Sequence, residues 1–116
     1  MNEGDIVLVP LPQVDGKVKN RPALVLRTLP PYQDLLVCGV STQLHQEVKG
    51  FDDIVAVGDS DFSKSGLRTT SLIWLSFLAV LTARDIIGAL GSVDSGRHRR
   101  LLQRLANYLT QDDARP

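Results

Sequence analysis

The apolar stretches of this chain are short, rich in β-branched residues, and cut off by proline or glycine before any could complete a helix. Ile6, Val7, Leu8 and Val9 run into Pro10 and Pro12, and Ala23, Leu24, Val25 and Leu26 open directly after Pro22. A strand needs only about 4–8 residues, whereas a helix needs roughly 10 or more and tolerates no interior proline. These runs therefore predict strands. Similar runs recur at residues 35–40, 54–57, 72–75, 78–81 and 86–90, separated by turn-type residues. Short strands at such spacing predict a barrel or curled sheet. The loop between the first two runs, PLPQVDGKVKN, has Asp15-Gly16 as its turn signal and carries Lys17 and Lys19 at its far end.

Two segments read as helices. In GDSDFSKSG, Asp59 or Ser60 can cap one or two turns and Gly66 can end them in a left-handed conformation. After Asp94 or Ser95 as cap, Leu101, Leu102, Leu105, Ala106 and Leu109 fall on one face at helical spacing. This helix is expected to pack on the sheet. Its other face holds Arg97, Arg99, Arg100, Gln103 and Arg104, and the first three arginines sit near the N-terminus, where the helix dipole disfavours positive charge. That face reads as a solvated basic surface or as an anion or partner site. Residues 111–116 read as a frayed tail.

A length of 116 residues suits one domain spanning 1–116. Thirteen basic and thirteen acidic side chains cancel, so nucleic-acid binding would need charge gathered on one face. Cys38, the single cysteine, lies in an apolar run and reads as a packing residue in a reducing compartment. The N-terminus MNEGDIV has no signal-peptide character, and LIWLSFLAVL is far shorter than the ~20 residues that span a bilayer. The expectation is a cytoplasmic protein without a membrane segment.

The blocks GDIVLVPLP, NRPALVLRT and VCGVSTQ, followed by SGLRTTSLIWLSFLAVL, resemble the MazF/PemK family of type II toxins across residues 4–109. The resemblance implies an SH3-like barrel of the MazF/PemK/CcdB type, mostly β with a C-terminal helix, that forms a homodimer. It also implies metal-independent cutting of single-stranded RNA, with no cofactor, until an antitoxin with a disordered acidic segment blocks it. Lys17, Lys19 and Arg21, with Lys64 or Arg68, are the cations such a segment would meet in the groove between subunits.

Cutting RNA through its own 2′-hydroxyl requires removal of that proton, protonation of the leaving oxygen, and positive charge near the phosphate. Arg21 can supply the charge: its planar fork binds two phosphate oxygens and stays protonated, and it matches the arginine of the family's RP motif. Its aliphatic stem could instead simply cover the barrel end. Ser41 matches the family's hydroxyl position best, and with Thr42 and Gln43 it emerges where a strand meets a loop; a local Ser-Thr turn is the competing reading. The expected catalytic set is Arg21, Ser41 and Thr42, with Lys17, Lys19, Asn20, Gln43, His45 and Trp74 binding RNA. His45 has the intrinsic pKa for acid or base work.

The family places an arginine at the position of Trp74 and an acidic residue at that of Ser76, and this chain has neither. Trp74 could stack on a base or belong to the core or an interface. Two histidines and one cysteine make no zinc-ligand set, and no phosphate-cradling glycine motif is present. Asp5 reads as a turn residue. The alternatives are a catalytically weakened RNA- or antitoxin-binding module on the same fold, or a CcdB-type gyrase-directed toxin.

Overall fold

The computed structural model describes residues 1–12 and 15–112. Strands β1 (Asp5–Pro12), β2 (Val18–Leu29), β3 (Asp34–Ser41), β4 (Asp53–Val55), β5 (Ser71–Leu81) and β6 (Gly88–Ser92) form one curled antiparallel sheet in the order β4-β5-β3-β2-β1-β6. Helix α1 (Phe62–Ser65) lies between β4 and β5, and α2 (Ser95–Thr110) ends the fold. The mostly β architecture with a C-terminal helix is the one the short apolar runs predict. The tail expected at 111–116 starts where α2 stops; residues 113–116, like Gln13 and Val14 of the first loop, lie outside the described residues.

Both faces of the sheet are buried, which is why its strands read as continuous apolar runs and not as alternating ones. On one face Ile6, Leu24, Leu26, Cys38, Ile73 and Leu75 pack beneath Leu101 and Leu105 of α2. On the other, Val7, Val9, Leu11, Ala23, Val25 and Val37 form a second cluster with Phe77, Ala79 and Ile86 at its margin. Burying each large aliphatic side chain contributes about 1.5–3 kcal/mol before entropy is counted. Cys38 is wholly buried and desolvation pushes its thiol up to about 12, so it packs as expected and is no nucleophile.

Several boundaries differ from those expected. The runs at 72–75 and 78–81 are one strand, β5, carrying a bulge: Trp74 pairs with Gly39, while Leu78 pairs with the adjacent Cys38. The run at 86–90 forms β6 two residues later, because a 3-10 turn at Ala83–Asp85 occupies the approach to it. The run at 54–57 is strand only over Asp53–Val55, since the Asp59 carboxylate accepts from the Ala56 N–H and turns the chain. The N-cap of α1 is Asp61, and neither Asp59 nor Ser60; its side chain is committed elsewhere. Gly66 does close α1 in the left-handed region at φ 74°, and a Cβ there would strike the Leu90 carbonyl of β6.

On the basic face of α2, Arg99, Arg100 and Gln103 are exposed, as a solvated face would be, whereas Arg97 is buried and Arg104 partly covered. Arg97 is 7% exposed, and all five of its N–H donors have partners. Nε and Nη2 reach the two Asp61 oxygens at 2.9 and 3.0 Å, Nη2 also reaches Asp59 at 2.9 Å, and Nη1 reaches Asp53 and the Ile54 carbonyl at 2.8 Å. Arg100 adds a 2.7 Å bond to Asp53, and Arg104 donates to the Asp52 carbonyl at 2.7 Å. Carbonyls of the β4 segment are thus met by α2 side chains, a way of sealing a sheet edge. Tertiary partners outweigh the unfavourable helix dipole. Asp94 caps α2 as expected, accepting from the Arg97 N–H at 2.8 Å.

Candidate functional site

One cleft, about 520 Å³, lies over the Arg97 cluster and is lined by Asp53, Asp59, Asp61 and Arg100 among others. Its lining sets four carboxylates, Asp53, Asp59, Asp61 and Asp94, against the guanidiniums of Arg97 and Arg100. Arg97, through its hydrogen bonds to Asp61, holds that carboxyl below the ordinary range; the Ala56 N–H and then Arg97 do the same for Asp59. This cluster anchors α2, and its excess of carboxylates disfavours an anionic ligand.

A second cleft, about 300 Å³, opens at the end of the second core face. Leu11 and Pro12 of β1 form one wall, and Arg21 reaches it from β2. Arg21 pairs across from Val9 and shares its facing with Ala23 and Val25, so strand alternation alone directs it here. Gly39, Val40 and Ser41 of β3, then Thr42, Gln43 and Gln46, make the opposite wall. Trp74 and Phe77 of β5 complete it, their ring centroids 5.3 Å apart at 34°.

Of the residues singled out from sequence, Arg21, Ser41, Thr42, Gln43 and Trp74 are gathered in this cleft. Ser41 Oγ accepts from the Gln43 N–H at 3.0 Å, the local Ser-Thr turn; its own O–H can still donate. His45 is exposed on the 3-10 turn Leu44–Gln46 and does not line the cleft, whereas Gln46 one residue later does. Lys17, Lys19 and Asn20 are exposed along the loop and the start of β2, with Lys19 and Asn20 opposite Leu11 and Pro10; none lines the cleft. Lys64 and Arg68 are exposed and also outside it. Asp5 accepts from the Asn2 N–H, as a turn residue would, and Ser76 is exposed.

Among the polar and aromatic lining residues, Gln46 and Phe77 are the ones sequence reasoning missed. Gln46 arrives through the 3-10 turn, and Phe77 through the β5 bulge. The cleft can therefore bind an anion at a guanidinium, donate hydrogen bonds from hydroxyls and amides, and stack a flat ring. No carboxylate or imidazole is among its lining residues. Among the described residues no helix is long and apolar enough to cross a membrane.

No curated protein matches the chain by sequence. Among solved structures, the Mycobacterium tuberculosis toxin MazF-mt6 superposes with a TM-score of 0.65, covering 94% of this chain and 99% of that one at 19% identity. At that identity the likeness speaks for the fold. The family described as PemK-like, MazF-like toxin of type II toxin-antitoxin system matches residues 2–109. With nearly its whole length matched by that family and the RP arginine facing a cleft at the end of the sheet, the chain belongs to the PemK-like, MazF-like toxins of type II toxin-antitoxin systems.

Proposed function

We propose that the protein is a metal-independent endoribonuclease that cuts single-stranded RNA in the cytoplasm. The observation that carries this reading is the convergence of Arg21, Ser41 and Thr42 on one cleft beside two aromatic rings. In the reaction the RNA 2′-oxygen attacks phosphorus, the bond to the 5′-oxygen breaks, and the 2′-proton is lost as the leaving oxygen gains one. The substrate carries its own nucleophile, so the protein's largest task is to stabilise charge on the phosphate. Arg21 does this with its fork, and the Ser41 and Thr42 hydroxyls add hydrogen bonds to phosphate oxygens. His45, on the adjoining turn, is the nearest imidazole to the cleft along the chain and is proposed to move the protons.

Lys17, Lys19 and Asn20 carry the flanking RNA backbone, and an acidic antitoxin segment competes along the same path. Purified protein incubated with a long single-stranded RNA in excess chelator should cut it, leaving 2′,3′-cyclic phosphate ends. A 2′-deoxy substitution at the scissile nucleotide should abolish the cut. Intact RNA after prolonged incubation would instead support the binding-module reading, which the absence of a lining carboxylate or imidazole favours.

A homodimer belongs to the same proposal. Leu72, Ile73 and Leu75 are buried within the protomer, but Leu78 and Val80 are 41% and 58% exposed on β5, and Leu109 of α2 is 70% exposed. Apolar surface of this kind is covered by association. Light scattering should give twice the 12.7 kDa chain mass. A monomer persisting at tens of micromolar would remove the dimer.

A further inference from the structure

Resting on the RNA-cutting reading above, we propose that Trp74 and Phe77 form a base-stacking platform that holds one unpaired nucleobase beside the phosphate bound by Arg21, with the Gln43 and Gln46 amides reading the base's polar edge.

The platform is constructed by the β5 bulge. Residues three apart on a regular strand point to opposite faces. Here the adjacent pair Cys38 and Gly39 faces Leu78 and Trp74, so Leu75, Ser76 and Phe77 are inserted between paired positions and Phe77 returns to the face of Trp74. The insertion takes Leu75 out of the ladder, and its N–H donates instead to the Asp52 carboxylate at 2.9 Å. Asp52 is 2% exposed and its other oxygen accepts from the Val48 N–H at 2.8 Å. A buried carboxylate answering one bulge donor makes the bulge a fixed feature, of the kind that re-aims side chains at functional sites.

Gly39 completes the arrangement. A Cβ at that position would lie 3.2 Å from Phe77 Cδ1 and 3.5 Å from its Cγ, so the ring rests against bare backbone. Both rings line the cleft that also holds Arg21, Gln43 and Gln46, and Trp74 remains partly exposed there. Aromatic faces accept any base by stacking, while an amide offers both a donor and an acceptor to the base edge. Stacking supplies affinity and the amides supply preference.

Trp74 is the only tryptophan in the chain, so its fluorescence reports on the cleft alone. The probe is a short all-2′-deoxy single strand, which cannot be cut. Titration should quench Trp74 to saturation. Replacing its bases one at a time by abasic sites should reveal one position that weakens binding about 5- to 100-fold. Phe77→Leu should remove that positional dependence, as should Trp74→Leu read by anisotropy of a labelled strand, and Gln46→Ala should flatten the preference among the four bases. Melting curves on each variant exclude misfolding, and the unmodified protein alone already decides the quenching. A strand that binds without quenching, a flat abasic scan, or quenching by an acidic peptide but not by the strand would overturn the platform. RNA cut by a protein whose Trp74 does not respond removes the platform and leaves the nuclease; a responsive Trp74 with uncut RNA removes the nuclease and leaves the platform.

Discussion

Replacing Arg97 by methionine, which keeps the stem but not the guanidinium, should lower unfolding free energy by about 3–5 kcal/mol, the usual cost of stranding a buried charge. Asp61 is 2% exposed and would lose both of its bonds from Arg97, and Asp53 would keep only Arg100 and the longer contact to Arg104. The pH dependence has a defined sign. In the parent protein Asp61 has a lowered pKa, chiefly through the Arg97 hydrogen bonds, so its stabilisation is complete above the ordinary value of 3.8 and is lost as pH falls below it. Without Arg97 the crowded carboxylates repel each other, their pKa values rise, and protonation relieves the variant. The stability gap between the two proteins should therefore be widest near neutrality and shrink through the acid range. Urea unfolding from pH 7 to pH 3 checks both statements. A loss under about 1 kcal/mol would place the cluster among surface ion pairs.

The consequence extends beyond α2. Arg104 holds the Asp52 carbonyl, and Asp52 in turn holds the Leu75 N–H at the bulge under Trp74 and Phe77. Helix, edge strand and cleft are joined by one chain of hydrogen bonds. Loosening the helix should thus reach the cleft.

How much of this was legible in the sequence depends on the distance over which each feature is determined. The strands were legible because their signal is local: branched residues between prolines and glycines have few other ways to fold. The packing of Leu101, Leu102 and Leu105 from α2 was legible for the same reason, whereas Ala106 and Leu109, expected on that face, are exposed. The role of its arginines was not, since the carboxylates that hold Arg97 lie 36 to 44 residues upstream. Their one local trace was positive charge placed against the helix dipole. Charge set where local physics resists it is a sign of a distant partner.

The cleft divides along the same line. Arg21, Ser41 and Trp74 could be named because they fall at positions the family resemblance marks, and Thr42 and Gln43 because they follow Ser41 where an apolar strand meets a loop. Phe77 could not, because period-two reasoning sends it away from Trp74. Only the bulge reverses its facing, and the group that fixes the bulge, Asp52, lies 23 residues before Leu75. Splitting β5 into two runs was the visible symptom of that bulge, read as a break in the strand.

Arg21→Ala should reduce single-turnover RNA cleavage on the order of a hundredfold or more while leaving the fold intact. The argument rests on where negative charge develops. As the 2′-oxygen attacks, the non-bridging oxygens of the phosphate become more negative, and a preorganised donor aimed at them typically accounts for a factor of about 100–1,000. Arg21 is exposed at the cleft, so the melting curve should move far less than the rate. Arg21→Lys separates charge from geometry. A lysine keeps the charge but not the planar fork, so its rate should fall between parent and alanine variant. Binding of the uncuttable deoxy strand should weaken far less than the rate, because a ground-state phosphate contact is only part of what the arginine contributes. An alanine variant that is folded and cuts at the parent rate would take Arg21 out of the reaction. Equal losses in binding and in rate would make it a binding residue, and the cleft a docking site for RNA.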